Sequence, residues 1–258
     1  MRYSGFFNIT GKLGFIGMDV KTQQNANILQ KTKAWGVHLF TASGAVWGIL
    51  AVVAIQEHNW KAAIFWMVMA IFVDGFDGWL ARWAKVKTFV PGVDGALLDN
   101  ILDYFNYVIV PGLFLYEAGL LPEKLALSGI VLIAIVSSFQ FSQTDAKTED
   151  HYFTGFPSYW NVVAIYLLVL ELNVWVNLVI VLVLGILVFV PIKYVYPSRT
   201  MRLQQVTLIL TFLWAGIGLI GLYQYPNVDP WIVWISFGYI GYYVAISLIP
   251  KKRITGSG

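Results

Sequence analysis

Long apolar runs follow one another along almost the whole chain, and they leave it few ways to fold. About eight of them extend for roughly 17–25 residues between polar or Pro/Gly breaks, the length of an α-helix that crosses a bilayer. Hydrophobic residues make up 58% of the 258 residues and charged residues only 12%, which is more apolar surface than the interior of a soluble domain can bury. We therefore predict an all-α polytopic membrane protein with about eight transmembrane helices in a bundle. The predicted spans are residues 34–55, 61–83, 94–120, 124–143, 157–172, 176–195, 205–225 and 230–250.

The distribution of lysine and arginine predicts the orientation of these helices. With the N-terminus in the cytoplasm, all but Lys61 and Lys124 of the 17 lysines and arginines lie on the cytoplasmic side, as the positive-inside rule requires. An even number of spans then places both termini in the cytoplasm. The chain divides into a cytoplasmic segment over 1–33, a transmembrane domain over 34–250 and a cytoplasmic tail over 251–258. The first segment is either an interfacial helix or a partly ordered tail.

Four aspartates lie inside two consecutive predicted spans, where a lipid-facing helix carries no charge. Asp74 and Asp77 are in the second span, and Asp99 and Asp103 are in the third. At 100° per residue, each pair lies on one helical face. Carboxylates at membrane depth repel one another and cost several kcal/mol each, so bound divalent cations are the simplest compensation. Because every ligand would be a carboxylate oxygen, we predict that the two faces meet and bind two ions of Mg²⁺ or Mn²⁺.

Small residues and one cation accompany the acids. Gly75, Gly78 and Ala81 in the second span, and Gly95 in the third, leave room for a bulky ligand to lie directly on the backbone. Arg82 provides a planar cation that suits phosphate oxygens. Two metal ions, an arginine and an open groove indicate phosphoryl transfer. One of the carboxylates would accept the proton of an incoming hydroxyl.

Other roles are less compatible with these residues. A polar helix crossing could contain acids without any chemistry, and a cation or choline transporter could use them as ion ligands. Neither role accounts for the glycines, the alanine and the arginine beside the acids. The absence of cysteine excludes disulfides and thiolate chemistry. We expect no nucleic-acid partner for this membrane protein.

The residues from Asp74 to Asp103 resemble the signature of the CDP-alcohol phosphotransferase family. That signature reads Asp-x-x-Asp-Gly-x-x-Ala-Arg, then a spacer, then Gly-x-x-x-Asp-x-x-x-Asp, and every fixed position is present. The spacer, residues 83–94, is longer than in most members of the family. Together with residues 34–44 before the signature, it resembles a bacterial branch that makes phosphatidylcholine. The similarity extends over roughly residues 34–220.

The resemblance implies a reaction and a role for each residue of the signature. Asp74, Asp77 and Asp99 would bind the metal ions, and Asp103 would contribute to the second ion and act as general base. The positions that would contact the CDP moiety are Gly75, Gly78, Ala81, Arg82 and Gly95. The implied reaction converts CDP-diacylglycerol and choline to phosphatidylcholine and CMP. Inositol phosphate, glycerol phosphate and serine are the alternative acceptors.

The resemblance also implies where the protein works and how it assembles. For this chain it implies a multi-pass protein of the bacterial inner (cytoplasmic) membrane, with membrane lipids around the bundle. The positive-inside distribution places the aspartates, and with them the active site, on the cytoplasmic side. The family commonly forms homodimers, so a homodimer is implied here as well.

Choline sets particular demands on the acceptor site. Its quaternary ammonium offers no hydrogen-bond donor, so it is bound by aromatic faces and by acids. Tyr104 and Tyr107 beside Asp103, Asp150 in a later cytoplasmic segment, and His38 in the first span are the candidate acceptor-binding residues. Aromatic residues also gather at membrane interfaces, and a buried histidine can be purely structural, so both alternatives stay open.

Overall fold

The computed structural model describes residues 28–143, 152–195 and 203–248. A π-helical segment, Phe105–Ile109, joins the fourth helix to the fifth without a break. In chain order the other elements are α1 (Ile28–Gln56), α2 (Trp60–Trp83), α3 (Val86–Phe89), α4 (Gly95–Tyr104), α5 (Val110–Glu117), α6 (Glu123–Ser142), β1 (Tyr152–Thr154), α7 (Trp160–Leu170), α8 (Val174–Leu187), β2 (Lys193–Val195), α9 (Gln204–Gln224) and α10 (Pro230–Leu248).

Within the described ranges, five helices are long and apolar enough to cross a membrane: α1, α2, α6, α9 and α10. The predicted class of polytopic helical membrane protein is therefore confirmed for the described residues. In contrast, α7 and α8 have 11 and 14 residues. At 1.5 Å per residue they extend for about 17 and 21 Å, less than the hydrocarbon core of about 30 Å. The count of eight spans and the side on which both termini lie stay predictions.

A two-stranded antiparallel sheet departs from the purely helical prediction. Strand β1 pairs with β2 so that Tyr152 lies opposite Val195. The predicted span 176–195 is wrong at its C-terminal end, because α8 ends at Leu187 and β2 follows. Pro191 lies between them and has no amide hydrogen to continue a helix. Aromatic and β-branched residues in both strands favour the extended conformation.

Helix α1 presents small residues to the helices around it. It packs along α2, and its buried Gly44 and Gly48 face the π-helical segment. A Cβ on Gly48 would overlap the side chains of Phe105 and Asn106. Small residues permit this close approach between membrane helices. The π-helical segment therefore lies directly against α1.

Buried polar contacts fix the segment between β1 and α7. The Trp160 indole donates to Ser137 Oγ at 2.8 Å, and the Ser158 hydroxyl donates to Gln140 Oε1 at 2.6 Å. Gly155 has a φ of +78°, and a Cβ there would overlap the backbone that follows α8. These contacts hold the start of α7 between α6 and α8, in the main hydrophobic core.

Helices α9 and α10 pack on each other and contact the other elements chiefly through β2. The Tyr243 hydroxyl of α10 donates to the Val195 carbonyl at 3.0 Å. At the other end of this helix pair, Lys61 Nζ donates to the Tyr223 carbonyl at 2.7 Å. Helices α9 and α10 are therefore peripheral to the helices that carry the four aspartates.

Candidate active site

Helix α2 carries two aspartates on the face that it turns to the interior of the bundle. Asp74 is partly buried, and Asp77, one turn later, is only 6% exposed. Thr41 of α1 lines the same cavity as the Asp77 carboxylate. Helix α1 therefore packs beside the more buried of the two acids.

Asp94 caps the N-terminus of α4, the helix that carries Asp99 and Asp103. The Asp94 side chain accepts hydrogen bonds from the amides of Ala96 and Leu97, at 3.0 and 3.1 Å. This N-cap satisfies amides that the first turn of a helix leaves unpaired. Helix α4 starts at the next residue, and Asp99 and Asp103 follow one turn apart on one face, both partly buried.

The acidic faces of α2 and α4 meet. Asp74, Asp99 and Asp103 each present an oxygen, and these oxygens lie within 4.8 Å of one another. An ion at about 2.1 Å from each ligand holds the ligand oxygens no more than about 4.2 Å apart, so the set fits a divalent cation after a small closure. Asp77 is outside this set but lines the same cavity.

The four carboxylates line a cavity between α1, α2 and α4. Its volume is about 10 Å³, counted as space for the centre of a water molecule. Thr41, Asn106 and Tyr107 add to its polar lining. The cavity has room for an ion or one water molecule, but not for a nucleotide. The body of any larger substrate would therefore lie at its mouth.

The π-helical segment brings two further side chains to this cavity. The Tyr107 hydroxyl donates to Asp74 Oδ2 at 2.6 Å, and Asn106 Nδ2 donates to the Gly44 carbonyl at 3.1 Å. Among the described residues, the buried Asn106 Oδ1 has no hydrogen-bond partner. No residue pattern marks a π turn in advance, so Asn106 was not predicted and Tyr107 was predicted only for acceptor binding.

Helix α2 has an open surface beside the acids. A Cβ on Gly75 would have no atom within 4 Å, and the nearest atom to a Cβ on Gly78 would be Arg82 Nη1, at 3.5 Å. The exposed Arg82 side chain thus extends back along the helix over Gly78. Ala81 is partly buried against α3. A negatively charged group could approach the backbone here and meet the guanidinium.

Gly95 contacts α1 rather than open space. A Cβ on Gly95 would lie 3.2 Å from His38 Cε1. The imidazole is 5% exposed, and the Trp35 ring packs edgewise against it at 6.0 Å between centroids. His38 Nε2 has no hydrogen-bond partner within the described part of the chain.

The other candidates for acceptor binding lie elsewhere. The Tyr104 hydroxyl donates to the Ala134 carbonyl at 2.9 Å, and its ring lies 5.7 Å from that of Phe141, so this side chain contacts α6. Asp150 falls outside the described residues. The acceptor roles of Tyr104, Tyr107, Asp150 and His38 stay predictions, as do the metal-binding and CDP-binding roles.

Comparison with known proteins identifies the family. The model of the CDP-alcohol phosphatidyltransferase family matches residues 38–240. A phosphatidylcholine synthase of Legionella pneumophila is 41% identical over 221 residues, which are 83% of this chain and 87% of that protein. A phosphatidylcholine synthase of Pseudomonas aeruginosa is 39% identical over 87% of this chain and 94% of its own length. One of Borreliella burgdorferi is 39% identical over 74% of this chain and 82% of its own. The resemblance seen in the signature is thereby confirmed, and the chain belongs to the CDP-alcohol phosphatidyltransferase family.

Proposed function

We propose that this protein transfers the phosphatidyl group of CDP-diacylglycerol to choline and releases CMP. The observation that carries the proposal is the cluster of Asp74, Asp99 and Asp103, whose oxygens approach within 4.8 Å inside an apolar bundle. Like charges persist so close together only when something compensates them. The relatives named phosphatidylcholine synthase support choline as the acceptor.

The cluster is suited to two ions of Mn²⁺ or Mg²⁺, bound by Asp74, Asp77, Asp99 and Asp103. These four residues offer only carboxylate oxygens, which are the ligands that hard divalent cations prefer. Bound there, the ions would neutralise the diphosphate and polarise the phosphorus under attack. The shared cavity supports the assignment of Asp77, because it brings that carboxylate beside the other three.

Asp103 is the general base of the proposed reaction. Its carboxylate accepts the proton of the choline hydroxyl while the choline oxygen forms a bond to the phosphorus that carries diacylglycerol. The bond from that phosphorus to the CMP oxygen breaks, and CMP leaves with the electron pair. The position of Asp103 within the cluster supports this role, since the base must lie close to the attacked phosphorus.

The CDP moiety would lie along the open surface of α2. Gly75 and Gly78 let it approach the backbone, and the Arg82 guanidinium over Gly78 would contact its phosphates. Ala81 continues this surface by one turn. Gly95 of α4 would form the opposite edge of this surface, where its contact with His38 brings α4 close to α1.

Aromatic side chains near the acids favour a quaternary ammonium over a phosphorylated acceptor. The Tyr107 and Tyr159 ring centroids are 6.1 Å apart, and those of Tyr159 and Phe153 are 6.4 Å apart. Tyr159 and Phe153 are both partly exposed. Ring faces attract a cation that has no hydrogen to donate, whereas a phosphorylated acceptor needs cations.

We place the protein in a bacterial inner membrane, with eight spans, both termini in the cytoplasm and the active site facing the cytoplasm. The support is the positive-inside distribution, in which Lys61 and Lys124 are the exceptions. Arg82, Lys85 and Lys87 cluster at the end of α2 that carries the acids. We propose assembly as a homodimer because members of the family commonly form homodimers.

An acceptor comparison tests the proposal. Purified protein in mixed micelles receives CDP-diacylglycerol, Mn²⁺ and one alcohol at a time: choline, serine, glycerol phosphate or inositol phosphate. We expect phosphatidylcholine from choline and little product from the others. Product from another alcohol, with none from choline, would refute the acceptor assignment. An Asp99→Asn sample gives the background, because it lacks one of the proposed ligands.

A further inference from the structure

We propose that Tyr107 is a positioning residue for the metal site: its hydroxyl holds Asp74 in the orientation in which that carboxylate binds a divalent cation. The inference rests on the proposed function, because it takes Asp74 as a metal ligand. It assigns the hydroxyl of Tyr107 a role that is separate from any contact of its ring with choline.

The contact between the two residues is short and charge-assisted. The Tyr107 hydroxyl donates to Asp74 Oδ2 across 2.6 Å, in the range of strong O–H···O⁻ bonds. A carboxylate has about four acceptor positions on its two oxygens, so one hydrogen bond does not prevent it from binding a cation. The carboxylate cannot rotate about its last torsion without losing the bond, and one orientation is therefore selected.

Tyr107 is itself held in place. Its side chain is 8% exposed and belongs to the main hydrophobic core. Its ring also packs against Tyr159 on the side of α7. Because two side-chain torsions define the position of a tyrosine hydroxyl, fixing the ring fixes the hydroxyl as well.

The π-helical segment directs Tyr107 toward α2. Its neighbour Asn106 donates to the Gly44 carbonyl at 3.1 Å, and Gly48 leaves room for Phe105. These contacts anchor the segment to α1 immediately before Tyr107. The wider π turn changes the direction of the side chain relative to a regular α-helix, and such turns are frequent at functional sites.

Removal of the hydroxyl alone separates the two possible roles of Tyr107. Residues that orient metal ligands typically contribute 10–100-fold to metal affinity, so we expect Tyr107→Phe to weaken Mn²⁺ binding about tenfold or more. The free Mn²⁺ signal in electron paramagnetic resonance measures this affinity on the purified full chain. The KM for choline should stay close to that of the wild type because the ring remains. Turnover should recover once Mn²⁺ saturates the variant.

Tyr166→Phe is the matched control. It removes a tyrosine hydroxyl that lies 2.6 Å from Ser236 Oγ, in a contact between α7 and α10. We expect this variant to bind Mn²⁺ as the wild type does. Thermal unfolding in chelator shows whether both variants fold. An equal loss of Mn²⁺ affinity in the two variants would contradict a specific role of Tyr107.

A double-mutant cycle tests whether Tyr107 acts through Asp74. In an Asp74→Asn background, Tyr107→Phe should cause no further loss of Mn²⁺ affinity. Two results would overturn the inference. One is wild-type Mn²⁺ affinity in Tyr107→Phe, and the other is an equal loss of Mn²⁺ affinity from Tyr107→Phe in the wild-type and Asp74→Asn backgrounds. Mn²⁺ binding requires neither lipid nor choline, so the two proposals can fail separately. A wild-type protein that binds Mn²⁺ but makes no phosphatidylcholine in the acceptor comparison contradicts the proposed function and not the role of Tyr107.

Discussion

Aspartates of identical chemistry occupy different environments in this bundle. Asp77 is almost fully buried, whereas Asp74 is partly buried and accepts a hydrogen bond from Tyr107. The two aspartates of α4 are partly buried and one turn apart. The Tyr107 hydroxyl limits the rotation of the Asp74 carboxylate, and a supporting contact of this kind can preorganise a metal site before the ion arrives.

Loss of the base should stop the chemistry but not the binding of lipid. Asp103→Asn keeps the size of the side chain and removes its capacity to take up a proton. General bases contribute about 10²–10⁴-fold, so we expect turnover to fall at least that far while CDP-diacylglycerol still binds. Initial rates and a lipid-binding assay on one preparation measure both quantities. Unimpaired turnover in Asp103→Asn would contradict the role of Asp103 as general base.

The fork of the Arg82 guanidinium should matter more than its charge. Arg82→Lys retains one positive charge but cannot contact two phosphate oxygens in a plane. Hydrogen bonds between charged groups contribute about 1.5–3 kcal/mol, so kcat/KM for CDP-diacylglycerol should fall roughly 10–100-fold. The KM for choline should change little. Wild-type kinetics in Arg82→Lys would argue against a contact with the diphosphate.

At the scale of elements, helical periodicity was sufficient to predict which faces meet. The spacings of Asp74 to Asp77 and of Asp99 to Asp103 place each pair on one face, and the structure brings those faces together. The N-cap Asp94 also carries a sequence signal, since an aspartate before an apolar run is typical of a helix start. The sequence alone therefore predicts the shared face of the acids wherever they repeat at helical spacing.

Periodicity could not predict the elements that depend on packing between distant segments. The π-helical segment depends on the fit of Phe105 and Asn106 against Gly48, a contact between residues far apart in sequence. The strands β1 and β2 have three residues each, and each needs the other as a partner. Apolar composition alone favoured a helix through Pro191, although proline disfavours one.

The fit at Gly48 gives a prediction for this element. In Gly48→Ala, the added methyl overlaps the Phe105 ring and the Asn106 amide. Overpacking of this kind costs about 1–3 kcal/mol, so the unfolding temperature in detergent should fall. Gly36→Ala in the same helix is the control, because a Cβ there meets no atom within 4 Å. Equal stability of the two variants would contradict the close packing of the π-helical segment on α1.

At the scale of the whole molecule, the positive-inside distribution makes a directional prediction. The chain has no cysteine, so single cysteines report on their own position. Glu57 follows α1 and Lys87 lies beyond α2, and both are exposed. A membrane-impermeant maleimide should label Glu57→Cys in intact cells, and Lys87→Cys only after the inner membrane is opened. The reverse pattern would invert the orientation and move the aspartates to the outer side.

We propose that the acids of α2 and α4 form one cation site that supports phosphatidyl transfer. The most direct measurement is CMP release from CDP-diacylglycerol and choline after chelation and after Mn²⁺ is restored, in wild type and in Asp99→Asn. We predict that chelation stops CMP release, that Mn²⁺ restores it in the wild type, and that no Mn²⁺ concentration restores it in Asp99→Asn. CMP release that persists in chelator, or that equals wild type in Asp99→Asn, would show that the acids do not form this cation site.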